Sequence, residues 1–249
     1  MRKEAGDAHI SQRTELIDYS DGEAVFEAYV SIPNGITGKS ATVLLAHEWS
    51  GLNEGMRRVA NRIAGIGYVC FAMDVYGKGV RGDQAGDNSH LMMPLIRDRR
   101  LLRQRLLAGL QAAVQHPSVD PSRIAALGYC FGGLCALDLA RAVPPELRSV
   151  VTFHAALSPS GIHPQEPIKA SILMLHGWED RFAPPDDVLA IARELTEAQA
   201  DWQLHCYGHA MHAFTFEGIN LPGRGLAYNA HAGRRSWNAM RAFLTETLE

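Results

Sequence analysis

The densest chemistry in this sequence lies at Leu127-Gly128-Tyr129-Cys130-Phe131-Gly132-Gly133, where a cysteine stands between glycines two residues before and two residues after it. An apolar run of strand length precedes it and a small-residue helical pattern follows, so the segment reads as strand, sharp turn and helix. In that context G-x-nucleophile-x-G is an elbow. The turn is so tight that only glycine fits the flanking positions, and the nucleophile is thrust above the sheet. The helix N-terminus beside the sulfur favours the thiolate, its reactive form. The plainer alternative is a glycine-rich packing turn with an inert cysteine. The strand-turn-helix context weighs against it, and no G-x-S-x-G elsewhere in the chain competes.

An elbow nucleophile works with a histidine base oriented by a carboxylate, and in this chain order the acid precedes the histidine. Candidates for both follow Cys130 in that order. Ser171 to Leu175 leads into His176-Gly177-Trp178-Glu179-Asp180-Arg181-Phe182-Ala183-Pro184, a turn with two adjacent carboxylates. Asp186 and Asp187 suit the cap of the next helix instead. Trp202 to Tyr207 leads into Gly208-His209-Ala210-Met211-His212-Ala213-Phe214. His205 falls inside the strand, where a hydrogen-bonded core histidine is the ordinary case, leaving His209 and His212 as bases. The spacing of His205, His209 and His212 would suit a metal if the segment were helical. A strand followed by a loop does not put them on one face, so neither a metal nor another cofactor is expected.

The elements around these residues alternate. Ala24 to Ile32 reads as an edge or hairpin strand, and Ala41 to His47 as a continuous apolar strand covered on both faces. Asn53 caps a helix carrying Met56, Val59, Ala60 and Ile63, which stops at Gly65 and Gly67. Tyr68 to Met73 is the next buried strand, and Asp74 to His90 a long loop. Pro94 opens a long helix with a stripe of Leu102, Leu106, Leu110, Ala113 and Val114. Its run of Arg97, Arg99, Arg100, Arg103 and Arg105 reads as a solvated face. A further buried strand follows at Arg123 to Tyr129, and three more strands at Val150 to Phe153, Ser171 to Leu175 and Trp202 to Tyr207. Helices are expected at Gly133 to Ala142, Asp186 to Gln199 and Ala227 to Glu249. Such alternation implies βαβ crossovers and a mostly parallel central sheet flanked by helices. Without a linker or repeat, residues 1–249 read as a single α/β domain. Its ligand belongs at the carboxyl ends of the strands.

Composition narrows the class. With 249 residues, 47% hydrophobic and 20% charged, the chain is neither disordered nor fibrous. A net charge of −3 offers no general attraction to nucleic acid or to an anionic membrane, so neither is expected as a partner. The amino terminus MRKEAGDAHISQ has no apolar stretch of the kind that targets secretion, and a cytoplasmic location is expected. Cys70, Cys130, Cys135 and Cys206 form no CxxC pair. All but Cys130 are expected to pack as small hydrophobes.

Cys130 in G-Y-C-F-G-G, Asp180 in H-G-W-E-D-R-F-A-P and His212 in Y-G-H-A-M-H-A-F resemble the triad blocks of the dienelactone hydrolase family, carboxymethylenebutenolidase-like α/β-hydrolases. His47-Glu48-Trp49-Ser50-Gly51-Leu52-Asn53 is similar to that family's Q/H-E-x-x-G-x-N segment. The resemblance implies an α/β-hydrolase fold without a large cap domain, and selects Asp180 over Glu179 and His212 over His209. It implies that Cys130 attacks as thiolate, that His212 is its base, and that Asp180 orients the imidazole. It further implies that Glu48 accepts the thiol proton at rest and swings away on substrate binding. The oxyanion hole would be the backbone N–H groups of Trp49 and Phe131. Dienelactone hydrolases hold a substrate carboxylate with two arginines. Here Asp74-Val75-Tyr76-Gly77-Lys78 puts lysine at the first place, and Phe216 stands at the second. Tyr76, Lys78, Arg81 and Phe216 are thus the expected substrate-binding residues, with Arg81 reaching in from the loop. The expected substrate is a small ester or lactone, neutral or aryl in preference to anionic. Aryl phosphotriester hydrolysis by the same cysteine is the alternative.

Overall fold

The computed structural model describes residues 11–83, 86–161 and 166–249. The amino-terminal stretch weighed as a targeting segment therefore lies almost wholly outside the described residues. One eight-stranded sheet organises the chain: β1 (Gln12–Ser20), β2 (Val25–Pro33), β3 (Ser40–Ala46), β4 (Val69–Met73), β5 (Val119–Tyr129), β6 (Leu147–Phe153), β7 (Ser171–Gly177) and β8 (Trp202–Tyr207). Its spatial order is β1-β2-β4-β3-β5-β6-β7-β8. β1 and β2 form an antiparallel hairpin, and β2 joins β4 antiparallel. All pairings from β4 to β8 are parallel.

The helices are α1 (Glu54–Ala64), α2 (Ser89–Arg97), α3 (Arg99–Gln115), α4 (Phe131–Arg141), α5 (Pro185–Glu197) and α6 (Ala230–Leu248), and two short strands, β9 (Asn220–Leu221) and β10 (Leu226–Ala227), pair before α6. Side chains of the central strands alternate between two apolar layers. Leu44, Phe71 and Ala126 join Leu102, Leu106 and Leu110 of α3 and residues of α4 and α5 in one layer. Val43, Ala72 and Leu127 join Met56, Ala60 and Ile63 of α1 and Met240 and Leu244 of α6 in the other. Each fully buried leucine in these layers contributes about 1.5–3 kcal/mol relative to exposure. This is the α/β-hydrolase fold, a mostly parallel sheet clothed on both faces.

Local rules account for most boundaries. Asn53 caps α1 by accepting from the Met56 N–H at 3.0 Å. Asp186 and Asp187 lie inside the first turn of α5 and complement its dipole, while Pro184 is the cap. The long helix expected from Pro94 is instead two. Asp98, at φ −115° and ψ 82°, breaks the chain and caps α3 by accepting from the Leu101 N–H at 3.0 Å, and Pro94 lies within α2. The expected arginine face is corrected at Arg99, which is buried against Asp138 (Nε–Oδ2 2.5 Å, Nη2–Oδ1 2.6 Å). Cys70 and Cys135 are buried as expected, but Cys206 is exposed because β8 is an edge strand. Among the described residues, no helix is long and apolar enough to cross a membrane.

Candidate active site

Cys130 sits between the end of β5 and the start of α4 with φ 54° and ψ −117°, a conformation L residues rarely adopt. The flanking glycines are a steric requirement. A Cβ on Gly128 would stand 1.9 Å from the Gly132 carbonyl oxygen, and one on Gly132 would stand 2.2 Å from that of Ala46. Backbone bonds complete the turn. The Cys130 N–H donates to the Phe153 carbonyl at 3.1 Å, and the Cys130 carbonyl accepts from Gly133 at 3.0 Å and Ala156 at 3.1 Å.

Asp180 and His212 reach the same place from the ends of β7 and β8. The His212 Nδ1–H donates to Asp180 Oδ2 at 2.7 Å, with the carboxylate buried. The other Asp180 oxygen accepts from the Phe182 N–H at 2.8 Å. Cys130 is the imidazole's other polar neighbour. Burial alone would lower the His212 pKa, but the adjacent Cys130 sulfur charge and hydrogen bonds to Asp180 and Cys130 raise it to about 10. Carboxylate, imidazole and thiol are in series, the arrangement a thiol nucleophile requires. Their rivals lie elsewhere. Glu179 accepts from the exposed His209 at 3.0 Å, and His205 remains on β8. The three histidines therefore do not converge.

The turn after β3 lies alongside. Glu48 is anchored within it, accepting from the Ser50 N–H at 2.8 Å, from the Ser50 hydroxyl, and from Asn53 Nδ2 at 2.7 Å. In this structure the carboxylate thus occupies its own turn rather than bonding the thiol. Phe131 is the first residue of α4, where an N–H has no intrahelical acceptor. Tyr76 packs 5.8 Å from the Phe131 ring, and its hydroxyl donates to the Trp49 carbonyl at 2.9 Å.

The two cations expected at the substrate are engaged otherwise. Arg81 donates to the carbonyls of Leu52 at 2.8 Å and Val80 at 2.6 Å and pairs with Asp74 at 3.5 Å. Lys78 is a clear correction. Its ammonium pairs with Asp18 on β1 at 2.5 Å, and that strand lies about 19 Å across the sheet from β5 at ordinary strand spacing. Phe216 packs tilted against Tyr129 (5.5 Å) and edge-on to His154 (5.4 Å).

Two aromatic neighbours were not among the expected site residues. His154, at the end of β6 with φ 37°, is buried and lies 4.9 Å from the His212 ring, with Nε2 bonded to Thr215 at 2.8 Å. The Phe182 ring lies 5.0 Å from that of His212 and is 55% exposed. A histidine closing a buried strand at the ligand-binding end was the available signal for the first. Of the six non-glycine residues with positive φ among those described, Cys130, His154, His209 and Ala213 belong to these loops.

A model of the Dienelactone hydrolase family matches residues 26–248. A crystal structure of a dienelactone hydrolase-like promiscuous phosphotriesterase from metagenomic libraries superimposes with a TM-score of 0.85 at 31% identity, covering 96% of this chain and 100% of that one. An uncharacterized Caenorhabditis elegans protein is 37% identical over 147 residues, 58% of this chain and 93% of its own length. A putative carboxymethylenebutenolidase of Aquifex aeolicus is 25% identical over 207 residues, 82% of this chain and 87% of its own.

Proposed function

Because the chain belongs to the dienelactone hydrolase family, ester-hydrolysing enzymes, we propose that it cleaves lactones or small carboxylic esters through a thioacyl-enzyme on Cys130. The observation that carries this is the series Asp180, His212, Cys130 at a strained elbow. In the first step the Cys130 thiolate adds to the acyl carbon, and the carbonyl oxygen takes up charge against the N–H groups of Trp49 and Phe131. Each such donor contributes about 3 kcal/mol to transition-state binding. Collapse breaks the ester C–O bond, and the His212 imidazolium protonates the departing alkoxide. The neutral imidazole then takes a proton from water, which attacks the thioester and restores thiolate and imidazolium. Asp180 holds the tautomer and stabilises the cation throughout. Glu48 modulates the thiol by alternating between its present anchorage on Ser50 and Asn53 and the sulfur. Residues 1–249 are read as one hydrolase unit.

Neutral and aryl esters are the preferred substrates. Arg81 and Lys78 are engaged elsewhere, and Phe182 offers a half-exposed ring beside His212. The test is hydrolysis of lactones, neutral aryl esters and anionic lactones by wild type, Cys130→Ala and Cys130→Ser, with a chelator present. Loss of activity in the alanine variant is expected. Hydrolysis unchanged by that substitution would remove the thioacyl reading, and a much higher kcat/KM for the anionic lactone would remove the substrate preference.

A second reading is favoured by the 31% identical phosphotriesterase-like neighbour. Cys130 would attack an aryl phosphotriester with aryloxide as the leaving group, and the same N–H groups would polarise P=O. Water must then cleave the phosphorothioate. Release of several equivalents of phenol per enzyme supports turnover, whereas a burst of one equivalent excludes it.

A further inference from the structure

We propose that His47 is a positioning residue, a buried tautomer-locked brace that aims the Trp49 N–H at the developing oxyanion, with the Tyr76 hydroxyl fixing the next peptide. The inference rests on the proposed hole. His47 is fully buried at the end of β3. Its Nε2 accepts from the Val75 N–H at 3.2 Å, so that nitrogen carries no proton. The ring proton is therefore on Nδ1, which donates at 2.7 Å to the Glu48 carbonyl. Asp74 Oδ1, 3.7 Å from Nε2, accepts instead from the Tyr76 N–H at 2.9 Å.

The Glu48 carbonyl and the Trp49 N–H are opposite ends of one planar peptide. A bond that fixes where the oxygen points fixes where the N–H points, and polarisation of the carbonyl strengthens the N–H as a donor. The following peptide is held as well, since its carbonyl, that of Trp49, accepts from the Tyr76 hydroxyl at 2.9 Å. The His47 ring lies 4.7 Å from that of Tyr76 and 6.3 Å from that of Phe131, whose own N–H is the second donor. The turn after β4 thus latches the turn after β3 and sets one donor against the other before substrate arrives.

The test compares wild type, His47→Leu, His47→Asn and Tyr76→Phe by three measurements. These are kcat and KM for a neutral aryl ester, affinity for an aryl trifluoromethyl ketone that forms a charged tetrahedral adduct with the thiol, and Cys130 alkylation by iodoacetamide. The last needs the thiolate but creates no oxyanion. For His47→Leu the expected loss in kcat is between about 10-fold and the 100-fold cost of a lost hole donor, with an equal loss of ketone affinity and little change in KM. Alkylation should stay near the wild-type rate. His47→Asn, whose amide N–H reaches the Nδ1 position, should recover most of kcat. The proposal is overturned if the leucine variant keeps wild-type kcat, if asparagine falls as far as leucine, or if alkylation falls in step with kcat. Should the leucine variant not fold, Tyr76→Phe decides: a several-fold drop in kcat with unchanged alkylation supports the brace, and unchanged kcat overturns it. Full hydrolysis by Cys130→Ala would instead refute the thiol mechanism, and the brace with it.

Discussion

Gly128→Ala isolates the steric basis of the elbow. The new Cβ would lie 1.9 Å from the Gly132 oxygen, 2.1 Å from the Gly132 carbon and 2.6 Å from the Gly133 nitrogen, all backbone atoms in the first turn of α4. Real Cβ contacts essentially never fall below 3.0 Å, so the helix start must retreat from β5 by about 1.1 Å. Phe131 and Cys130 move with it, separating the sulfur from His212 and one N–H from the oxyanion. A misplacement of about 1 Å costs about 100-fold in rate. Overpacking adds a stability loss of about 1–3 kcal/mol, a fall in Tm of about 2–12 °C for a chain of this size. The assay is kcat/KM for a neutral aryl ester well below the lowered Tm, beside Gly38→Ala, where an added Cβ meets nothing within 4 Å. If Gly128→Ala retains wild-type kcat/KM and Tm while Gly38→Ala behaves as wild type, the elbow does not depend on close approach and the geometric argument for Cys130 fails.

Other outcomes follow from the charges. Since the His212 pKa is raised to about 10, its acid form persists below that pH and is lost above it. The pH profile of kcat/KM should therefore fall on its alkaline side near pH 10, and Asp180→Asn, which removes a raising partner, should move that limb downward. An unmoved limb would contradict the coupling. Asp138→Ala leaves the Arg99 guanidinium buried without its carboxylate, whereas Arg141 keeps Glu194 at 2.6 and 2.9 Å. The expected loss is about 3 kcal/mol, a fall in Tm of about 6–12 °C, measurable by calorimetry. Lys78→Ala should leave kcat/KM within about twofold for both anionic and neutral esters, as for other surface changes; selective loss with the anionic lactone would return Lys78 to the site.

The central strands and the segments that bring Cys130, Asp180 and His212 together were legible because each depends on a few neighbouring residues. The apolar runs from Ala41 to Leu175 name strands by burial, and the glycines around Cys130 name a turn that tolerates nothing else. What escaped depends on partners far along the chain. β1 is mostly exposed, with Tyr19 its one buried residue, and it is a strand because β2 pairs with it. Arg99 looks like any helix-surface arginine until Asp138, 39 residues on, meets it. Lys78 resembles a substrate cation by motif position, but an aspartate from β1 claims it. His47 sits inside a recognisable segment, yet its hydrogen bonds are set by the fold of the turn after β4.

The strands that carry the site are not equally tethered. β5, which presents Cys130, is bonded to β3 on one side and β6 on the other, whereas β8, which leads into His212, is bonded to β7 alone. Edge segments open locally at lower free energy than central ones. On warming, the sheet's margin should therefore fray first, freeing the imidazole while the elbow and the core stay folded. Inactivation would then precede global melting, and the durability of the enzyme and that of its fold would be separate properties governed by different strands. Heating that abolishes ester hydrolysis before the far-ultraviolet circular dichroism changes is the expected signature; coincident losses would mean that the margin and the centre open together.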